Sequence, residues 1–181
     1  MGKKALIILA EGFEDIETIT PIDILRRAEV EVTVAGLSDM KVKGARGTVV
    51  LADKLLKDSG SDFDVIILPG GSGASKLAAS DDVKALITDM HNRGKIIAAI
   101  CAAPALVLSP LGILKGKKAT SFPGERARMD KECIYKEENV VADGNIITSR
   151  GPGTAISFSL AIVEKLAGKD VSEKINKATL A

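Results

Sequence analysis

The sequence predicts an α/β fold: a three-layer sandwich on a mostly parallel sheet, with residues 1–181 as one domain. Three observations lead there. Short apolar runs, bounded by turn residues, alternate with helical patterns along the chain. The runs are apolar on both faces, as strands covered on both sides must be. Finally, 46% of the residues are apolar and only 3% aromatic, so the core is one of Ile, Val, Leu and Ala. A chain of 181 residues hides about 70% of its unfolded surface on folding and needs no disulfide or metal staple.

In order, residues 4–10 read as a buried strand, and an acidic turn at 11–15 leads to a helix over 15–28. Ile16, Ile22, Ile24 and Leu25 supply its apolar stripe, with Pro21 inside it. Residues 30–35 form a second strand, and 42–52, with Gly44 and Gly47, a small hairpin or edge segment. Residues 65–68 are a third strand, ending in Pro69-Gly70-Gly71-Ser72-Gly73-Ala74. A helix over 74–93, broken near Ser80, stops at Gly94. Residues 95–100 are the fourth buried strand, followed at once by Cys101 and a helical stretch over 102–108. Residues 119–121 form a short strand and 124–133 an irregular or weakly helical segment. Residues 140–148 make a hairpin around Asp143-Gly144. A turn at 150–154 precedes the last long helix, 155–166, with Thr154 as N-cap.

Composition excludes several functions. Lys and Arg number 25 against 24 Asp and Glu, with no basic block, so no dedicated nucleic-acid binding is expected. No apolar run approaches the roughly 18 residues of a membrane helix. The N-terminal run over 5–10 meets Glu11, Glu14, Asp15 and Glu17 and reads as a strand, not a signal peptide. A cytoplasmic protein with reduced thiols is expected, and Cys101 and Cys133 make no disulfide framework. One histidine and two cysteines cannot form a four-ligand Cys/His zinc site, so no metal is expected.

In an open α/β sheet, ligands bind beyond the C-terminal ends of the strands. Three such ends carry distinctive chemistry: those before Glu17, before Gly70-Gly71 and before Cys101. Cys101 stands between Ala98-Ala99-Ile100 and Ala102-Ala103, small residues that permit a sharp strand-to-helix turn. A helix N-terminus there favours thiolate. From position alone, a reactive thiol and an inert buried one are equally compatible. Gly70-Gly71 offers backbone N–H groups to an anion, but without the Lys-Ser/Thr of a phosphate loop. Glu14, Asp15 and Glu17 are ordinary dipole partners at a helix start unless Glu17 turns inward. His91, the single histidine, falls near the end of the helix feeding the Cys101 strand, a sheet's length from the thiol.

The segments Gly12-Phe13-Glu14-Asp15-Ile16-Glu17-Thr18, Leu68-Pro69-Gly70-Gly71, Ala98-Ala99-Ile100-Cys101-Ala102-Ala103-Pro104 and Thr148-Ser149-Arg150-Gly151-Pro152-Gly153-Thr154 resemble the ThiJ/PfpI superfamily. Within it they look like the parkinsonism-associated deglycase branch, over residues 4–168. The resemblance implies a flavodoxin-like fold related to class I glutamine amidotransferase domains, and a homodimer. It makes Cys101 the reactive, oxidisable cysteine and Glu17 the carboxylic acid hydrogen-bonded to it. Backbone N–H groups of Gly71 and Ala102 would form the oxyanion hole, and Gly70, Gly151, Pro152, Arg46 and Arg26 would lie about the substrate. The activities it implies need no cofactor: conversion of small α-oxoaldehydes to hydroxy acids, or deglycation of early protein adducts. The alternative is an oxidative-stress sensor or redox-regulated chaperone using the same thiol. The segment 122–134, where some members place a histidine beside the cysteine, has none; Phe122 and Cys133 occupy it.

Overall fold

The computed structural model describes residues 2–181. β1 (Lys4–Leu9), β2 (Glu31–Gly36), β5 (Lys54–Leu55), β6 (Val65–Leu68), β7 (Ile96–Ile100), β10 (Val140–Asp143) and β11 (Ile146–Ser149) form one sheet. Its order is β10-β11-β7-β6-β1-β2-β5. Every pairing in it is parallel except the hairpin β10-β11 around Asp143-Gly144. The sandwich read from the sequence is therefore the fold observed.

Alternate residues of the central strands feed two cores, which is why these strands are apolar throughout. In β1, Leu6 and Ile8 face one core, with Leu77 of α2 (Gly73–Ala79) and Val83, Ile87 and Met90 of α3 (Asp81–Asn92). Ala5, Ile7 and Leu9 face the other, with Ile24 and Leu25 of α1 (Asp15–Arg27) and Phe158 and Ile162 of α4 (Ala155–Ala167). The break between α2 and α3 falls at Ser80, whose Oγ accepts from the Val83 N–H at 3.3 Å. Gly94 stops α3 with φ of 69°. The segment over 42–52 is the hairpin of β3 (Lys41–Lys43) and β4 (Val49–Leu51).

Several local expectations are corrected. The buried stripe of α1 is Glu17, Thr18, Pro21, Ile24 and Leu25, while Ile16 is 53% exposed. An acid, not the neighbouring isoleucine, thus occupies an inward helical position. No regular α-helix follows Cys101. A turn leads into a five-residue π-helix, Pro104–Leu108. Thr154 makes no cap bond to α4. Its hydroxyl instead bonds the Gly151 N–H, the Gly151 carbonyl and Ser149 Oγ, at 3.1, 2.8 and 2.6 Å. The short strand expected over 119–121 is β8 (Lys118–Ala119), pairing with β9 (Ile134–Tyr135), a strand the sequence does not announce. Finally, α4 is not the last helix. α5 (Lys169–Thr179) packs on it through the buried Ser172 and Ile175, too few apolar positions to stand out in sequence.

Candidate active site

β1, β6 and β7 are parallel neighbours, so the segments leaving their C-terminal ends meet on one sheet edge. The first turn of α1, which follows β1, carries Glu17, the β6 loop Gly70 and Gly71, and the β7 end Cys101. The β1 and β6 loops are stitched together. Phe13 and Gly71 form an isolated antiparallel bridge, and Glu14 N–H donates to the Gly70 carbonyl at 3.2 Å. Gly73 N–H donates to the Gly12 carbonyl at 3.0 Å. Gly71 has φ of 76°, and a Cβ there would meet the Glu14 N at 2.7 Å, so only glycine fits this crossing.

Cys101 has φ of 64°, a conformation that costs an L-residue about 1–2 kcal/mol. Its backbone is held on both sides. The Cys101 N–H donates to the Ser149 carbonyl at 2.9 Å, and the Cys101 carbonyl accepts from Phe122 N–H at 2.8 Å. The outcome is a strained elbow presenting a half-buried thiol. Such strain at a side chain with chemistry makes Cys101 a candidate functional residue.

Glu17 is fully buried. Its Oε2 accepts from the Gly70 N–H at 2.8 Å, whereas its Oε1 has no protein partner. Glu14 caps α1, its Oε2 accepting the Glu17 N–H at 2.8 Å, a position the sequence reading left as a dipole partner. Gly70 separates thiol and acid: a Cβ there would meet Cys101 Cβ at 2.6 Å, Glu17 Oε2 at 2.6 Å and Cys101 Sγ at 3.0 Å.

Electrostatics couple the pair. Burial pushes the Glu17 carboxyl up to about 7, against the pull of Cys101 and of the Gly70 N–H. Burial, then the ionised Glu17 beside it, pushes the Cys101 thiol up to about 12. The N–H groups of Gly71 and Ala102 face the sulfur and act the other way. The expected thiolate-favouring helix terminus is therefore not what governs Cys101. Below about pH 7 both groups hold their protons, and above it the pair keeps one, because a second charge would sit beside the first with little water to screen it.

Of the remaining candidates, Gly151 is in the site: its Cβ position lies 4.0 Å from Glu17 Oε1 and 3.5 Å from the Phe122 ring. Pro152 opens the adjoining 3-10 turn, Pro152–Thr154. Arg46 lies on the β3-β4 turn, which is fastened to α1 by Asp15: Oδ2 accepts from Arg46 N–H at 2.9 Å and Oδ1 from Thr48 N–H at 3.1 Å. Its side chain is exposed. Arg26 is in the last turn of α1, about 13 Å along the axis from Glu17, so the chain does not bring it to its own thiol. His91 is at the end of α3, before β7, and Cys101 is beyond the far end of that strand. Cys133 Sγ contacts the Lys117 carbonyl at 3.4 Å, and burial raises its thiol too. Among the described residues no cluster of His, Cys, Asp and Glu suits a metal ion. No helix described is long and apolar enough to cross a membrane.

A cleft of about 510 Å³ opens beyond β1 and β2, between Glu11, Asp39, Lys41, Lys43 and Lys76; Cys101 is not in its wall. The strained thiol and buried acid, not cleft size, mark Cys101 and Glu17 as the candidate centre.

Comparison with known proteins agrees with this fold. The chain is 44% identical over 180 residues to the Parkinson disease protein 7 homolog of Danio rerio, covering 96% of this chain and 95% of that one. It is 38% identical over 177 residues to the glutathione-independent glyoxalase DJR-1.2 of Caenorhabditis elegans, covering 97% and 95%. The crystal structure of Drosophila melanogaster DJ-1beta superposes with a TM-score of 0.96 at 44% identity, over 100% of this chain and 99% of that one. Toxoplasma gondii DJ-1, solved in an oxidized form, gives 0.95 at 38% identity, over 99% and 98%. The model of the DJ-1/PfpI family matches residues 3–165, spanning every element of the site, and the chain belongs to that family.

Proposed function

We propose that the protein is a cofactor-independent cysteine enzyme acting on small α-oxoaldehydes or their early protein adducts. The observation that carries this reading is the Cys101–Glu17 pair: a strained thiol and a buried acid packed across Gly70, with two backbone N–H groups at the sulfur. The naming of the C. elegans relative as a glutathione-independent glyoxalase supports it.

The chemistry follows from these groups. As the Cys101 sulfur attacks the aldehyde carbon, ionised Glu17 takes the thiol proton. A C–S bond forms, and the carbonyl π electrons move to oxygen. Gly71 and Ala102 N–H groups stabilise that oxyanion, each contributing about 3 kcal/mol at comparable sites. Glu17 returns the proton, giving a hemithioacetal. The carboxylate next removes the remaining C1 hydrogen, leaving an enediolate, and delivers it to C2 as the C1 hydroxyl proton passes to the C2 oxygen and the C1 carbonyl forms. The product is a 2-hydroxy thioester, and water releases the hydroxy acid and the free thiol. C1 is oxidised as C2 is reduced, so the reaction balances internally with one water consumed.

Methylglyoxal conversion to lactate by wild type and Cys101→Ala tests the reading. Turnover should be present in the first and absent in the second. Equal, negligible rates in both would overturn it.

A second reading, oxidation sensing, draws on the unpartnered Glu17 Oε1, which when protonated can donate to an oxidised sulfur. A relative is solved in an oxidized form.

A further inference from the structure

Phe122 is placed unlike the other phenylalanines. Phe13, Phe63 and Phe158 are at most 5% exposed, whereas Phe122 is 45% exposed. Its position relative to the thiol is fixed, because its N–H donates to the Cys101 carbonyl at 2.8 Å. Pro123 follows it and opens a 3-10 turn, holding the backbone of the segment. The ring lies against two glycines. A Cβ at Gly151 would be 3.5 Å from it, and one at Gly124 would be 3.4 Å away. The same Gly151 position is 4.0 Å from Glu17 Oε1. An exposed aromatic ring therefore lies against Gly151, beside the acid, on a segment whose backbone is hydrogen-bonded to the elbow.

Leaving an aromatic surface in water beside a reactive thiol is unfavourable unless something apolar covers it. We infer that Phe122 is a specificity-determining residue whose ring forms an apolar wall beside Cys101, selecting aryl-bearing α-oxoaldehydes over glyoxal. This rests on the α-oxoaldehyde reading above. When the aldehyde carbon is at the sulfur and its oxygen at the Gly71 and Ala102 N–H groups, the substituent on the second carbon has to leave the reacting centre. The ring of Phe122 is an apolar surface available to receive it. Glyoxal has only hydrogen there and gains nothing from the ring.

Two ratios test this in wild type, Phe122→Leu and Phe122→Ala, each first checked for a cooperative melt. The first is kcat/KM for phenylglyoxal over that for glyoxal. The second, independent of turnover, is the Cys101 alkylation rate with N-benzyl iodoacetamide over that with iodoacetamide, read by peptide mapping. Wild type should favour the aryl reagent in both. Phe122→Ala should lower each ratio by about tenfold, the scale of a small apolar group in a pocket, with Phe122→Leu between. Unchanged ratios in Phe122→Ala overturn the wall. Absent turnover with a shifted alkylation ratio overturns the enzymatic reading while the apolar wall stands.

Discussion

Two residues hold most of the site's tension. Cys101 adopts φ of 64° although it has a side chain, and that conformation is natural to glycine. Cys101→Gly should therefore be more stable than Cys101→Ala by about 1 kcal/mol, despite its greater unfolded-state entropy. Denaturant midpoints of the two variants compare them directly; a more stable alanine variant would show that the elbow is unstrained. Glu17 gives a pH signature. Its carboxyl moves from 4.5 to about 7 on folding, so the folded state holds a proton that the unfolded state has released. Between those values stability falls as pH rises, by about 3 kcal/mol in total, and above about 7 the loss is complete. Glu17→Gln cannot titrate and keeps that stability, so its advantage over wild type should grow from pH 4.5 to pH 7.5. Other carboxylates titrate in both proteins and cancel in the difference. In turnover the sign reverses. The ionised acid is the base, so wild-type kcat/KM should rise through about pH 7. Glu17→Gln should lose this limb and about 100-fold in rate. Wild-type turnover in Glu17→Gln would remove the acid from the chemistry and favour the sensing reading.

At the scale of elements, parallel strands bring the chemistry together. Their shared direction places the β1, β6 and β7 exits on one edge and the end of α3, which leads into β7, on the other. Cys101 and His91 are thus separated by the length of β7, about 16 Å for its five residues and the step beyond. His91→Gln should leave aldehyde turnover within about twofold and stability within about 0.5 kcal/mol. A tenfold loss in a folded variant would contradict the observed strand direction. The sequence marked the ends of the helices and strands well on both edges, because Pro-Gly-Gly, Asp-Gly and Gly94 are local signals. It misjudged α1, since Ile16 looks like core in a periodicity and Glu17 does not. Only the approach of the β6 loop, with the Gly70 N–H as donor, turns the acid inward.

At the scale of the molecule, apolar side chains remain outside both cores. Ile16 and Ile19 on α1 and Val49 and Leu51 on β4 are 44–67% exposed. The hairpin bearing the latter pair is tied to the start of α1 through Asp15, so the two groups belong to one side of the protein. We propose, as the family resemblance implies, that a second copy covers this side in a homodimer. Sedimentation at micromolar concentration should give twice the chain mass of 18.9 kDa, and Leu51→Lys should shift it toward the monomer. A wild-type species at 18.9 kDa would contradict the dimer.

The sequence by itself determined the layered, mostly parallel sheet, the alternation of its main strands and helices along the chain, and the edge on which chemistry is possible. Those properties follow from apolar periodicity and turn residues, which act over a few positions. It also marked Cys101, Glu17 and Gly71 through motifs separated by tens of residues. Tertiary structure alone decided the protonation of the pair. A helix start after Cys101 predicts an easily ionised thiol, but burial and a neighbouring carboxylate outweigh it. It also decided that Thr154 secures the Gly151 loop rather than capping α4. Desolvation, charge coupling and long-range hydrogen bonds depend on which segments meet, and that is set only when the sheet has assembled.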